Sequence, residues 1–131
     1  MQVLIIDNSV LIVQRLKELL SECRNISLLF GATSYTEGVQ LFMQHLPAVV
    51  ILDHNLPDNK SYLLLTEIKQ AAPETVVIML AIVNDEQTKQ QCQILGADFL
   101  FDKYSEFERI VVVVNDFRIN CNPYTMQNEK D

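Results

Sequence analysis

The chain has little of what holds small proteins together through covalent or metal cross-links. Its three cysteines, Cys23, Cys92 and Cys121, are odd in number and widely spaced, form no CxxC pair, and have only two histidines to complete a ligand set. Disulfide and zinc frameworks both fail on that arithmetic. No run of Lys or Arg occurs, and the formal charge is −7 with a pI of about 4.7. Such a chain is not drawn to phosphate backbones or anionic membranes, so neither nucleic acid nor a membrane is an expected partner. The N-terminus, Met1-Gln-Val-Leu-Ile-Ile-Asp7, lacks the basic region of a secretion signal and meets an acid at position 7, and no apolar stretch approaches the length of a membrane span. These absences predict a soluble protein of the reducing cytoplasm. No linker, internal repeat or low-complexity tract divides the chain.

What is present is a 131-residue chain with 49% apolar residues, enough for one core without staples. Short apolar runs alternate with amphipathic segments, the order expected of strands and crossover helices around a parallel sheet. The five runs are Val3 to Ile6, Ile26 to Phe30, Val49 to Leu52, Val76 to Leu80 and Phe99 to Phe101. Their near-continuous hydrophobicity suits strands covered on both faces. Leu11, Ile12, Leu16, Leu19, Leu20 and Cys23 recur at helical spacing, placing a helix from about Ser9. A second helix carries Val39, Phe42, Met43 and Leu46 and ends at Pro47, because proline disfavours the α conformation in the residue before it. Leu63, Leu64, Leu65 and Ile68 mark a third helix stopping before Pro73, and the polar segment Asp85 to Leu95 an exposed fourth.

Ser105 and Glu108 have the spacing of a capping box, which predicts a last helix through Ile110, Val111, Val114 and Phe117. The β-branched run Val111 to Val114 argues for a strand instead, and the preceding box decides for helix. The expected division is a folded domain over 1–119 and a polar, exposed tail over 120–131.

In an open parallel sheet, ligands bind beyond the carboxyl ends of the strands. There the first run closes with Asp7-Asn8, the third with Asp53-His54-Asn55, and the fifth leads through Asp102 to Lys103. Taken singly, each Asp or Asn serves equally well as a helix cap, and Lys103 as a surface lysine. Together, Asp7, Asp53 and Lys103 make an acidic pocket with one cation at its rim. Clustered carboxylates favour a hard divalent ion, and Mg²⁺ is normally held by one or two of them with waters and phosphate oxygens. A carboxylate so placed can attack a phosphodonor to give an acyl phosphate. That chemistry requires Asp53 to be reachable from solvent.

Four segments, Val3-Leu-Ile-Ile-Asp7-Asn8-Ser9, Val49-Val-Ile-Leu-Asp53-His-Asn-Leu-Pro57, Val76-Val-Ile-Met-Leu80 and Gly96-Ala-Asp-Phe-Leu-Phe-Asp-Lys103, stand in the order and spacing of a known family. The chain resembles a response-regulator receiver domain over about residues 2 to 118, and Lys103-Tyr-Ser-Glu-Phe-Glu108 is similar to a subgroup that includes stand-alone receivers. The resemblance implies a flavodoxin-like (βα)5 α/β fold, doubly wound, with a five-stranded parallel sheet in the order 2-1-3-4-5. It implies phosphorylation at Asp53, a metal-binding acid at Asp7, a metal-facing backbone carbonyl at Asn55, and Lys103 pairing with the phosphoryl oxygens. A histidine kinase or phosphotransfer protein is the implied donor, and a downstream protein partner the implied outlet for the signal.

The chain also departs from the family pattern. The second acid after the first strand is Asn8, which offers the metal an oxygen but no charge. The Thr or Ser usual at the end of the fourth strand is Ala81, the aromatic switch position is Leu100, a turn glycine is Ser61, and the proline after the lysine is Tyr104. A cis bond before a non-proline residue costs about 3 kcal/mol, so a trans Lys103–Tyr104 linkage is expected. Two functions follow: a working phosphoacceptor using Mg²⁺, carried by Asp7, Asp53 and Lys103, or a phosphorylation-independent pseudo-receiver acting as an interaction module, favoured by Asn8, Ala81 and Leu100. A turnover phosphatase wants a second acid where Asn55 stands, so an enzyme is not expected. The valine run and Phe117 suit either a homodimer through the fourth helix, fifth strand and fifth helix, or a helix wedged against the sheet.

Overall fold

The computed structural model describes residues 1–82 and 85–117. Within them the chain forms β1 (Gln2–Ile6), α1 (Val10–Leu20), β2 (Leu28–Ala32), α2 (Tyr35–His45), β3 (Val49–Asp53), a 3₁₀ turn (Pro57–Asn59), α3 (Lys60–Ala71), β4 (Val76–Ala81), α4 (Glu86–Ile94), β5 (Phe99–Asp102) and α5 (Phe107–Phe117). The strands are all parallel and lie in the order β2-β1-β3-β4-β5. The expected doubly wound α/β architecture is thus present. The proposed tail, 120–131, and Cys121 lie outside the described residues.

Successive strand side chains point to opposite faces, and the apolar residues divide accordingly. Val3, Ile5, Val49, Ile51, Ile78 and Leu80 pack with Ile12, Val13, Leu16 and Leu20 of α1 and Ile110 and Val114 of α5. Leu4, Ile6, Val50, Leu52, Val77 and Met79 pack with Phe42 of α2, Leu64, Leu65 and Ile68 of α3, and Cys92 of α4. Both residue parities on the central strands are therefore buried, which is why those strands read as unbroken hydrophobic runs rather than alternating ones.

Helix starts and stops follow local chemistry. The Ser9 hydroxyl accepts from the Ile12 N–H at 3.3 Å and so caps α1, while Leu46 ends α2 in the left-handed region at φ 45°, just before Pro47. In α4 only Cys92 is buried, and Ile94 is 77% exposed, in keeping with its polar sequence.

Two local expectations are corrected. β2 runs two residues later than the apolar run Ile26 to Phe30, because the Ser27 N–H and hydroxyl both bond the Met1 carbonyl, and pairing with β1 starts only at Leu28. The last helix does form, with Ile110 and Val114 buried and Val112 exposed, but the Ser105–Glu108 box does not open it. Instead the Asp102 carboxylate accepts from the Tyr104 and Ser105 N–H groups at 2.9 and 3.0 Å, and Glu106 reaches back to the Asp102 N–H at 2.8 Å. The same reciprocal logic operates three residues earlier in the chain, on the residue that closes β5.

Candidate functional site

The sheet's carboxyl edge assembles the polar residues because the strands end on them. Ile6 pairs with Leu52 across β1 and β3, so Asp7, one residue on, emerges beside Asp53, the last residue of β3. Beyond β5, the Lys103 N–H continues the ladder by bonding the Ala81 carbonyl at 2.9 Å. Since β4 separates β3 from β5, the Lys103 side chain crosses the end of β4, which is Ala81, to reach the acids. Its Nζ lies 2.8 Å from Asp7 Oδ2 and 3.2 Å from Asp53 Oδ1.

The expected convergence of Asp7, Asp53 and Lys103 is therefore present. Solvent access differs from expectation: Asp7 and Asp53 are each 1% exposed and Lys103 5%. The Lys103 ammonium is buried with the two acids it pairs with. Asn8 and Asn55 are both exposed and stand at the rim, outside the buried cluster.

Two acids against one ammonium leave the cluster with a net negative charge in a low-dielectric setting. Burial pushes the Asp7 carboxyl up from its ordinary range; pairing with Lys103 and a hydrogen bond from the Ser9 N–H pull it down, and the nearby Asp53 pushes it up again, so it stays raised. For Lys103, burial acts to lower the pKa, but Asp7 and Asp53 together outweigh it and hold the ammonium above its ordinary value. Asp53 Oδ1 also accepts from the Asn55 N–H at 3.0 Å, whereas its Oδ2 is buried without any hydrogen-bond partner. A buried carboxylate oxygen left orphaned in a net-negative cluster is what a divalent cation or a phosphoryl group would satisfy. Among the described residues no group of three or more His, Cys, Asp or Glu is placed to hold a metal, in keeping with an amide at Asn8 where a third acid would complete the set.

The other departures have structural counterparts. Ala81 is fully buried, Leu100 is half-buried against the α2–α3–α4 side of the sheet, and Tyr104 is 67% exposed and follows a trans peptide. The His54 N–H bonds across to the Leu80 carbonyl of β4, and its Nε2 lies 2.9 Å from the Tyr62 hydroxyl. The residue that sequence reasoning underrated is Ser61: it is buried, donates its hydroxyl to the Asp53 carbonyl at 2.7 Å and accepts from the Leu56 N–H at 2.9 Å. Only its departure from glycine signalled it. A large groove of about 870 Å³ lies at the opposite end of the sheet, against Met1, Ala48, Val76 and Phe99, and contains none of these residues.

A five-stranded doubly wound sheet with two acids and a lysine joined at its carboxyl edge is the arrangement expected of a receiver domain. A sequence model of the response regulator receiver domain matches residues 3–115, and the chain belongs to that family. It is 25% identical to the probable C4-dicarboxylate response regulator DctR of Priestia megaterium, over 98% of this chain and 59% of that protein. It is 26% identical to the oxygen regulatory protein NreC of Staphylococcus epidermidis, over 87% of this chain and 53% of that one. The chain thus spans little more than half the length of these relatives. Among solved structures, a response regulator receiver domain protein from Clostridium thermocellum superposes with a TM-score of 0.79 at 26% identity, covering 98% of this chain and 96% of that one. The receiver domain of DrrB, a Thermotoga maritima response regulator, solved in a BeF3-activated form, gives 0.74 at 25%, covering 88% and 95%.

Proposed function

We propose that this receiver domain is a working phosphoacceptor: Asp53 takes a phosphoryl group from a histidine kinase or phosphotransfer protein, and the modified domain signals through a protein partner. The observation that carries this reading is Asp53 Oδ2, a carboxylate oxygen with no hydrogen-bond partner, while Oδ1 is held by Lys103 and the Asn55 N–H. The free oxygen is the nucleophile. It attacks phosphorus in line, a P–O bond forms as the donor's P–N or P–O bond breaks, and the leaving group departs with that electron pair. Lys103, displaced from Oδ1, then pairs with the phosphoryl oxygens.

Asp7, Asp53, the Asn55 backbone carbonyl and the Asn8 amide oxygen are the groups that would hold Mg²⁺, with Asn8 contributing no charge. Bound there, Mg²⁺ offsets the repulsion between carboxylate and phosphodonor. Domain chemistry ends at the acyl phosphate: Asn55 has no proton to give a leaving group, so turnover is not part of the reading. Among the described residues no helix is long and apolar enough to cross a membrane, which supports a cytoplasmic setting beside a kinase. The exposed apolar residues Ile94 of α4, Phe99 of β5 and Val112 of α5 support a homodimer through that face.

A second reading, a pseudo-receiver that partners recognise without phosphorylation, is favoured by the near-complete burial of Asp53 and by Ala81, which offers no hydroxyl to a phosphoryl group. Incubation with a small phosphodonor and Mg²⁺, followed by intact-mass analysis beside Asp53→Asn, separates the two. An adduct lost in the variant supports the phosphoacceptor. A folded wild-type chain that never gains the mass supports the pseudo-receiver.

A further inference from the structure

The turn that follows Asp53 is held at every amide. The His54 N–H bonds the Leu80 carbonyl at 2.8 Å, the Asn55 N–H bonds Asp53 Oδ1 at 3.0 Å, and the Leu56 N–H bonds Ser61 Oγ at 2.9 Å. Ser61 lies in the first turn of α3 and is 2% exposed, and its single hydroxyl proton is already committed to the Asp53 carbonyl at 2.7 Å. One hydroxyl therefore spans from the nucleophile's own backbone to the third residue beyond it, donating at one end and accepting at the other, so its rotor has no freedom left.

The Leu56 N–H and the Asn55 C=O belong to one peptide plane. A trans peptide is planar, with its N–H and C=O pointing in opposite directions. Fixing the Leu56 N–H on the buried Ser61 oxygen thus fixes the direction of the Asn55 carbonyl, which must point away from Ser61. On the reading that this carbonyl is a ligand of Mg²⁺, we propose that Ser61 is a positioning residue for the cation. It does not touch the ion; it sets the peptide plane that presents the ligand, and it anchors that plane to the strand residue carrying the nucleophile. Where a turn glycine stands at this position, no side chain can provide the link, so the device belongs to this chain's own sequence. With one carboxylate of the usual set replaced by Asn8, a preset carbonyl contributes a larger share of the cation's hold.

The test uses the full chain. Mg²⁺ affinity is measured by calorimetry for the wild type, Ser61→Ala, Ser61→Gly and Ser61→Thr, with thermal melts recorded in the absence of metal. Loss of groups that orient a metal ligand typically lowers affinity on the order of tenfold or more. Ser61→Ala and Ser61→Gly are expected to weaken Mg²⁺ by about that factor, beyond anything their melting temperatures account for, while Ser61→Thr, which keeps the hydroxyl, restores most of it. Saturating Mg²⁺ should return the phosphorylation rate of Ser61→Ala to that of the wild type, because only the cation's affinity has changed.

In the wild type, the backbone amide resonance of Leu56 should shift on Mg²⁺ addition, which tests the link even where a variant fails to fold. Equal Mg²⁺ affinity in the wild type and Ser61→Ala overturns the role of Ser61 and leaves the metal reading intact, whereas an unmoved Leu56 amide at saturating Mg²⁺ removes the Asn55 carbonyl from the ligand set and the role of Ser61 with it. A folded wild-type chain that binds no Mg²⁺ overturns both.

Discussion

Replacing Lys103 tests the electrostatics of the site without reference to its chemistry. The ammonium sits 2.8 Å from Asp7 and 3.2 Å from Asp53, and all three side chains are almost wholly removed from water. At an effective dielectric constant of about 20, each contact is worth roughly 5 to 6 kcal/mol of attraction. Desolvation of the three ions offsets much of that gain, but removing the lysine restores none of the acids' hydration and leaves two like charges facing each other. Breaking a buried pair in this way costs about 3–5 kcal/mol. For a domain of this size that corresponds to a fall in melting temperature of roughly 10–20 °C.

Lys103→Met, which keeps most of the stem's volume, is expected to show that loss in metal-free buffer by circular dichroism. The sign reverses for the acids: Asp7→Asn or Asp53→Asn removes the excess negative charge and leaves one pair, so metal-free stability should hold or rise. Added Mg²⁺ should stabilise Lys103→Met more than the wild type, since the cation replaces the missing charge without having to displace an ammonium. A Lys103→Met protein as stable as the wild type without metal, or one that gains no more from Mg²⁺, would refute the reasoning.

Other outcomes follow from the same geometry. Asn8→Asp adds a carboxylate at the rim; a unit charge about 4 Å away in water is worth about 1 kcal/mol, twice that for a divalent ion, so Mg²⁺ affinity measured by calorimetry should rise at least about tenfold. Asp102→Ala removes the acceptor for the Tyr104 and Ser105 N–H groups and should lower the midpoint of chemical denaturation. Those two backbone hydrogen bonds hold the Asp102 carboxyl below its ordinary 3.8, so the cap's contribution is present above that value and is lost as pH falls through the lowered pKa; the Asp102→Ala deficit should vanish in strongly acidic buffer. Cys92 is fully buried and burial raises its thiol pKa, as it does for Cys23, so both should resist alkylation at neutral pH until the chain is unfolded, as mapped by peptide mass.

The parts of the account that sequence supports best are those with short-range or periodic signatures. Alternating apolar runs and amphipathic segments disclose a doubly wound sheet because central strands buried on both faces leave an unbroken apolar trace. Asp7, Asp53 and Lys103 are legible because each ends or follows a strand, and parallel strands bring such residues to one edge. Contacts without a periodic trace are not legible. The bond between Ser61 and the Asp53 carbonyl spans eight residues of turn and 3₁₀ geometry, with Asp58 and Asn59 both at positive φ, and no spacing rule announces it. Asp102 reads in the sequence as a step on the way to Lys103, yet its carboxylate accepts from the Tyr104 and Ser105 N–H groups and holds the turn that leads into α5. The burial of Asp53 escapes sequence reasoning for another reason: it is a product of tertiary packing at the sheet edge, where Lys103 pairs with two acids that outweigh the cost of its own desolvation.

Intact-mass analysis of the wild-type chain and Asp53→Asn, each held with a small phosphodonor and Mg²⁺, addresses the central claim most directly. A single added phosphoryl group on the wild type, abolished by chelating the metal and absent from the variant, is the predicted result. An unmodified wild-type chain under the same conditions, or an adduct that persists when Asp53 is replaced, would contradict it.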